Sequence, residues 1–390
     1  MHRHSHLPTL RRPGAAALLA LLCACGDALQ PQPPGAAKAP GIVPELVGAP
    51  FTQASFYARN VWDMQLFGGL IWLGHGDSID NWGPIPIWSL DPATGALATG
   101  FTADDEQVDL FRVLGGQLYV PGHDPRGDWS MGEFYRLEAG GWVKHRTLPH
   151  GLHAFDLALY GGRLFAALGT EATPGEETVL ESGDGGAQWT AVTDEVERVY
   201  TFFDLGGELY AAPPLRNAAP SDSSRPLLRY DGARFVRTGL YGTTLLPGVD
   251  AGEKGRMLRT TAFGGALAYV SAQSTFDWVP KSLVVARDLA DIHRVALPDA
   301  AAVPYDLLVR GGVLYLLAAA PADGGGYTVR VYSTGDLEHW RELFHFAAPT
   351  FARSFEESGG DFFFGLGCSY TAPSAASGRI LRVRRASWTG

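Results

Sequence analysis

Short apolar runs separated by pairs of glycine recur along most of the chain. A strand-like run, a Gly-Gly pair and a second run that often begins x-Leu-Tyr occur together seven times. Two strands joined by a tight glycine turn form a β-hairpin, because glycine accepts positive φ without strain. No segment keeps an apolar period near 3.6 over three turns, so few helices are expected. The first glycines of the seven pairs are Gly68, Gly115, Gly161, Gly206, Gly264, Gly311 and Gly359.

The spacing of these pairs predicts the fold. Successive pairs are 47, 46, 45, 58, 47 and 48 residues apart, which is too long for leucine-rich or ankyrin repeats and fits one four-stranded propeller blade. In the second copy, "DLFRVL", "QLYVPG", "EFYRLE" and "WVKHRTL" each have the composition of a strand. We therefore expect an all-β protein, a seven-bladed β-propeller of four-stranded antiparallel blades, formed as a single domain by residues 42–390.

Closure of such a ring requires a strand from the other end of the chain. After the third predicted strand of the last copy, "RILRVRR", only "ASWTG" remains. Counting back from Gly68 by the usual spacing places an outer strand near Pro50 to Phe56. The segment "GAPFTQASFY" is thus predicted to close the last blade.

The predicted hairpins between third and fourth strands carry a family motif. "SGDGGAQW" matches S-x-D-x-G-x-x-W at all four fixed positions, and "STGDLEHW" keeps the Ser-to-Trp spacing with its Asp one place late. From about Phe51 to Arg385 the chain resembles the Asp-box, or BNR-repeat, propellers, a group that includes the sialidases. The resemblance implies a structural role, on the rim away from the active face, for four residues: Ser182, Asp184, Gly186 and Trp189.

The N-terminus indicates the cellular location. An arginine-containing start, "MHRHSHLPTLRR", precedes "AAALLALLCA", an apolar run too short to cross a bilayer as a helix. The following "LCAC" resembles the lipobox of bacterial lipoproteins. It implies a signal peptide over residues 1–24, lipid on Cys25 and a Pro/Ala/Gly-rich tether over residues 25–41. The location would be extracytoplasmic, and Gly26 is similar to the residue that follows the cysteine in outer-membrane lipoproteins. The alternative is a plain secretory signal cut near Ala24.

Charge and cysteine content narrow the possible partners. All 41 acidic residues and all but three of the 31 basic residues follow Cys25, so the processed chain would carry a net charge of −13. This sign disfavours nucleic acid. With Cys23 removed and Cys25 lipidated, Cys368 has no disulfide partner. We expect a monomer that contacts the membrane through its lipid alone.

Polar residues concentrate in two similar loops of the first and second blades. "HGDSIDNWG" and "GHDPRGDWSMG" each place Asp and Trp residues after a Gly-His or His-Gly pair. In a propeller such second-to-third-strand loops share one face with the loops between blades. Asp and Asn in tight loops also serve as turn residues that bond their own backbone. The candidate ligand-binding residues are His75, Asp77, Asn81, Trp82, His123, Asp124, Arg126, Trp129 and His153.

These residue types favour recognition of a carbohydrate, another polar small molecule or a protein partner. Carboxylates and amides bond hydroxyl groups, and an indole face stacks on a sugar ring. A glycoside hydrolase or lyase is the alternative, since glycoside hydrolysis needs two suitably spaced carboxyl groups. An envelope assembly or scaffold role is the third interpretation. The candidate catalytic residues are Asp77, Asp105, Glu106, Asp124 and Asp128.

Two narrower hypotheses are less well supported by the sequence. Sialidases carry an Arg-Ile-Pro signature, whereas Arg59 lacks the following Ile-Pro, and Arg256, Arg353 and Tyr370 lie in no recognisable motif. A metal held by His75, His123 and His153 would lack any close ligand spacing. We therefore expect neither a metal nor an organic cofactor.

Overall fold

The computed structural model describes residues 39–52, 54–124, 130–169, 178–194, 198–220, 224–274 and 277–389. Seven antiparallel sheets follow one another along the chain, as the glycine spacing predicts. Strand β1 (Glu45–Gly48) precedes them. Blade 1 contains β2 (Asp63–Phe67), β3 (Leu70–Gly74), β4 (Ile85–Leu90) and β5 (Leu97–Ala103). Blade 2 contains β6 (Arg112–Leu114), β7 (Gln117–Pro121), β8 (Met131–Glu138) and β9 (Gly141–Pro149). Blade 3 contains β10 (His153–Tyr160), β11 (Arg163–Gly169), β12 (Val179–Ser182) and β13 (Thr190–Ala191).

The remaining blades keep the same order of strands. Blade 4 contains β14 (Thr201–Leu205), β15 (Glu208–Ala212), β17 (Leu228–Tyr230) and β18 (Phe235–Arg237). The intervening strand β16 (Leu215–Arg216) belongs to the sheet of blade 5. After helix α1 (Gly242–Leu245), blade 5 contains β19 (Lys254–Phe263), β20 (Ala266–Ser274), β21 (Trp278–Ala286) and β22 (Ile292–Arg294). Blade 6 contains β23 (Val303–Arg310), β24 (Val313–Pro321), β25 (Tyr327–Thr334) and β26 (Arg341–Ala348). Blade 7 contains β27 (Ala352–Ser358), β28 (Asp361–Leu366) and β29 (Ile380–Val383), before a 3₁₀ turn at Arg385–Ser387.

The prediction of a seven-bladed all-β propeller is confirmed. In every blade the Gly-Gly pair joins the innermost strand to the second, and both glycines have positive φ, from +56° to +90°. Each sheet contains four strands, with β1 counted in blade 7, apart from the sheet of blade 5. There β16 pairs with β19 and forms a fifth strand. Within the described part of the chain, no helix is long and apolar enough to span a membrane.

The N-terminal strand closes the ring, although its position differs from the prediction. Strand β1 pairs antiparallel with β29, with Glu45 opposite Arg382. The strand lies a few residues before the predicted Pro50–Phe56. Phe51 of that segment instead packs into the core of blades 1 and 7, and the following Tyr57 is buried against Trp62 and Tyr370. The chain before β1 is also attached to blade 6, since the backbone N–H of His345 donates to the carbonyl oxygen of Pro40.

Buried carboxylates connect neighbouring innermost strands around the axis. Asp63 accepts a hydrogen bond from its neighbour Met64 and a second, at 2.7 Å, from the N–H of Phe111 in the next blade. The same arrangement recurs from blade 3 to 4, from 6 to 7, and from 7 back to 1. The pairs are Asp156 with Phe202 (2.8 Å), Asp306 with Phe355 (3.1 Å) and Glu356 with Leu66 (2.7 Å). Each carboxylate thus satisfies a buried N–H and fixes the spacing between two blades.

The hairpin with the sequence "SGDGGAQW" joins the two outer strands of blade 3, β12 and β13. The Asp184 carboxylate accepts hydrogen bonds from the N–H groups of Ala187 and Gln188, and the hydroxyl of Ser182 donates to Asp184. The indole N–H of Trp189 donates to Thr147 of blade 2. In the second copy of the motif, Thr334 takes the place that Ser182 has in the first. Its hydroxyl donates to Asp336 and accepts a hydrogen bond from the N–H of Leu337. This turn therefore begins one residue later than predicted.

Candidate functional site

A cavity of about 880 Å³ lies on the propeller axis at the end where the innermost strands begin. Every blade contributes to its wall the residue six places before its Gly-Gly pair. Because the seven innermost strands surround the axis, equivalent positions converge at one end of it. The seven residues are Trp62, Asp109, Phe155, Tyr200, Leu258, Tyr305 and Arg353.

Aromatic faces and arginines alternate along part of this wall. The Arg353 guanidinium lies 4.0 Å from the centroid of Trp62. The Arg256 guanidinium lies 4.9 Å from the centroid of Tyr200 and 5.3 Å from that of Trp278. Cation–π contacts of this length stabilise a cation and hold the guanidinium plane in place.

Among the described residues, Arg256 lacks the carboxylate ion pairs that two other arginines of the cavity form. Arg112 bonds Asp156 through two nitrogens at 2.7 Å, and Arg259 bonds Asp63 and Asp306. Within the described residues, Arg256 forms no carboxylate ion pair, and its Nε is buried without a hydrogen-bond partner. Burial lowers its pKa, because the charges of nearby carboxylates compensate for the lost water only in part. The side chain therefore presents an incompletely neutralised cation to the cavity.

A second cluster, the His–Glu cluster, comprises Glu106, His123 and His153. His123 Nδ1 lies 3.1 Å from Glu106 Oε1, and the rings of His123 and His153 are 5.4 Å apart. Backbone contacts fix the three residues: the N–H of Glu106 donates to the carbonyl of His123, and His123 forms an isolated antiparallel bridge with His153. All three line the cavity.

Burial is the largest influence on the pKa of each titratable group here. It raises the pKa of Glu106 and of Asp124, although His123 favours their charged forms. It lowers the pKa of His153 to about 2, and the charges of His123 and Arg198 add to that decrease. Burial opposes a charge on His123 as well, but its hydrogen bond with Glu106 and the Asp109 carboxylate raise its pKa. Carboxyl groups whose pKa is raised toward neutrality are suited to general acid–base chemistry.

Five of the candidate residues predicted from the sequence line the cavity. The loop of blade 1, "HGDSIDNWG", contributes only one of them. Asn81 lines the wall, whereas His75, Asp77 and Trp82 do not. Loops from separate blades converge as expected, and blade 2 and the start of blade 3 supply most of the predicted residues. The five are Asn81, Glu106, His123, Asp124 and His153.

The other described candidates have structural contacts, which corrects their expected placement. His75 is 1% exposed, its ring nitrogens contact the carbonyl oxygens of Ala58 and Pro86, and it stacks on Phe51 at 4.1 Å. The Asp77 carboxylate accepts hydrogen bonds from the N–H groups of two residues in its own turn, Ile79 and Asp80.

Trp82 and Asp105 also face the protein interior. Trp82 packs against the core between blades 1 and 2. Asp105 is 1% exposed, and burial, with the nearby Glu133 carboxylate, raises its pKa to about 8. In the first loop Asp77 bonds the backbone of its own turn and His75 is held by backbone carbonyls, so neither side chain reaches the cavity. Three further candidates, Arg126, Asp128 and Trp129, lie outside the described residues.

Several cavity residues were not proposed as ligand contacts from the sequence. Tyr200, Trp278 and Asp277 received no role, and Arg256 and Arg353 were considered only as parts of a sialidase signature. An alignment of the seven copies on their Gly-Gly pairs would have identified the position six residues earlier as a shared axial position. The same alignment places Asp63, Asp156, Asp306 and Arg259 five residues before their pairs.

Comparison with known proteins identifies the fold and not a family. No family model and no curated protein matches the chain. Among solved structures, virginiamycin B lyase from Staphylococcus aureus, in a catalytically inactive form with quinupristin, is 10% identical with a TM-score of 0.51, and the match covers 86% of this chain and 96% of the lyase chain. A chain of the mitotic checkpoint complex is 11% identical with a TM-score of 0.52, and the match covers 92% of this chain and 98% of that one. At such low identity the likeness establishes the propeller architecture alone.

Proposed function

We propose that this protein is a lipid-anchored, extracytoplasmic propeller that binds a carbohydrate, or a polar ligand of similar size, through an anionic group in its axial cavity. The observation that carries the proposal is Arg256, a partly buried cation that lines the cavity, whose Nε is buried without a hydrogen-bond partner and which forms no carboxylate ion pair among the described residues. A carboxylate or phosphate on the ligand would supply the missing hydrogen bonds, and bonds between charged groups are the stronger ones.

The rest of the cavity wall is suited to such a ligand. A volume of about 880 Å³ lies within the range of small-molecule sites. Trp62, Tyr200 and Trp278 offer aromatic surface for the apolar side of a sugar ring, and Asp124 and Asn81 offer groups that bond hydroxyls. A polar, concave wall gives less support to the scaffold interpretation, which requires an exposed apolar face.

A glycan array tests the proposal directly. The full chain, purified in mild detergent, is expected to bind saccharides that carry a carboxylate and to discriminate against their neutral counterparts. Arg256→Gln should weaken this binding by about 10-fold or more, because a hydrogen bond to a charged group contributes about 1.5–3 kcal/mol. Tryptophan fluorescence measures the affinity, since Trp278 lies beside Arg256.

A matched variant separates this effect from a general loss of charge. Arg229→Gln removes an exposed arginine that pairs with Glu208 at 2.7 Å, and it should bind like the unaltered protein. Binding of neutral glycans alone, or equal affinities for the Arg256 and Arg229 variants, would contradict the role of Arg256. Absence of binding to every glycan would contradict the carbohydrate proposal.

A catalytic function is the second candidate, favoured by the carboxyl groups at the cavity. Glu106 and Asp124 both line it, and burial raises the pKa of both. A glycoside hydrolase uses one protonated and one ionised carboxyl group, placed on either side of the bond that is cleaved. Incubation of the bound glycan with the protein, followed by chromatography of the products, distinguishes cleavage from binding.

The proposed membrane attachment depends on Cys25, which lies outside the described residues. Cys25→Ala is expected to abolish incorporation of labelled fatty acid and to release the protein from the membrane fraction. Cys23→Ala is the matched control and should keep the label, because only the last cysteine of "LCAC" has the position of the lipidated residue. Equal labelling of the Cys25 variant and the unaltered protein would contradict the lipobox assignment and would leave the ligand proposal intact.

A further inference from the structure

Three potential metal ligands converge at one side of the cavity. Glu106 comes from the loop between blades 1 and 2, His123 follows β7 of blade 2, and His153 begins β10 of blade 3. One donor atom from each of the three lies within 4.8 Å of the other two. Donors of a tetrahedral zinc site, at about 2.0–2.1 Å from the metal, are about 3.3 Å apart. Small side-chain rotations would therefore bring the three donors to the distances of a bound ion.

Unsatisfied polar atoms at the same place provide an independent indication. His153 is 8% exposed, and its Nδ1 is buried without a hydrogen-bond partner among the described residues. The same holds for Oε2 of Glu106 and for Oδ1 of the adjacent Asp124. Buried polar atoms are nearly always hydrogen-bonded, so three unsatisfied atoms in one cluster need a cause. Coordination of a cation through Glu106 Oε2 and His153 Nδ1 would satisfy two of these atoms.

We propose that Glu106, His123 and His153 bind a divalent transition-metal ion, of which Zn²⁺ is the best match. Two imidazoles and one carboxylate suit zinc and its neighbours in the first row, whereas Ca²⁺ and Mg²⁺ take oxygen ligands. Three protein ligands leave a coordination position open. Because the three residues line the cavity, that position faces the space in which the proposed ligand binds.

The backbone already holds the three residues in place without a metal. The Glu106 N–H donates to the His123 carbonyl at 3.4 Å, and the Ala154 N–H donates to the Gly122 carbonyl at 2.7 Å. These bonds join the three segments that carry the ligands. Loss of one side chain should therefore weaken metal binding without unfolding the propeller.

Calorimetric titration with Zn²⁺ tests the site. The full chain, first treated with a chelator, is expected to bind one equivalent of Zn²⁺ at this site, to bind Ca²⁺ at least 100-fold more weakly, and to melt at a higher temperature with zinc. His153→Gln and Glu106→Gln should each weaken zinc binding by about 100-fold or more, since even a residue outside the ligand set costs about 10–100-fold. Circular dichroism spectra should show that both variants remain folded.

Two controls remove other sources of zinc binding. His339→Gln alters an exposed histidine–carboxylate pair, with Asp336 at 2.8 Å, and should bind zinc like the unaltered protein. In protein that still carries residues 1–24, a variant with alanine at His2, His4 and His6 excludes the histidines near the N-terminus and should retain the equivalent bound at the cavity. Absence of zinc binding in this variant, or unchanged affinity in both site variants, would overturn the proposal. The glycan result is independent, because Arg256 is not among the metal ligands.

Discussion

Arg259→Met should lower the free energy of unfolding by about 3–5 kcal/mol at pH 8, the usual effect of removing one partner from a buried ion pair. Arg259 lies five residues before its Gly-Gly pair, where blades 1, 3 and 6 have aspartate. Its Nη1 bonds Asp63 at 2.9 Å and its Nε lies 3.3 Å from Asp306. Without the guanidinium, two buried carboxylates would face each other across the axis.

The same variant should be less destabilised at pH 5. Burial already raises the pKa of Asp63 and of Asp306, and the charge of Arg259 limits that rise. Once the arginine is removed, both pKa values should rise further. A carboxyl group whose pKa is higher in the folded than in the unfolded protein loses stability as the pH rises through the folded-state value. The destabilisation should therefore grow between pH 5 and pH 8.

Denaturant unfolding at both pH values measures this effect against a matched control. Arg287 also contacts two carboxylates, Asp291 at 3.3 Å and Glu338 at 2.7 Å, but all three side chains are substantially exposed. Arg287→Met should cost less than about 1 kcal/mol at either pH. If the two variants lose the same stability, with the same pH dependence, the axial cluster does not support the ring.

Deletion of residues 42–48 should have the second large effect, because it removes β1 and opens the ring. The strand supplies several backbone hydrogen bonds to β29, each with a net contribution of about 1 kcal/mol. It also supplies Val47, which packs against the core of blades 1 and 7. A stability loss of about 3 kcal/mol or more is expected from these lost contacts. The exposed edge of β29 should also promote aggregation.

A second deletion of equal length provides the control. Residues 29–35 lie in the predicted tether, and their removal should leave the melting temperature unchanged. Thermal melts and light scattering compare the two truncated proteins with the full chain. An unchanged melting temperature after deletion of residues 42–48 would mean that pairing of β1 with β29 contributes little to stability.

The architecture could be predicted from the sequence because its signals are local. A glycine pair at positive φ marks each inner hairpin, and a spacing near 47 residues marks each blade. Closure by the N-terminus follows from counting strands. The position of the closing strand does not, since the choice between Glu45–Gly48 and the segment around Phe51 depends on which apolar residues the finished core can bury.

The candidate site could be predicted only in part, and the reason is again physical. His75 and His123 occupy similar loops and neighbouring blades, yet one is held by backbone carbonyls beneath its loop and the other lines the cavity. Sequence pattern does not distinguish these outcomes. Side-chain direction in a short loop depends on the hydrogen bonds available from other segments, such as those that carry Ala58 and Pro86 for His75.

The sequence by itself determined the class of fold, the number of blades and the face on which polar loops meet, because turn conformation and repeat length are properties of short segments. Only the tertiary structure decided which polar groups reach the axis. Arg256 beside Trp278, and His153 beside His123, are brought together by ring closure and by the pairing of separate segments. Their burial and their unsatisfied atoms arise from that assembly, since the loss of water around a side chain depends on every neighbour that packs against it.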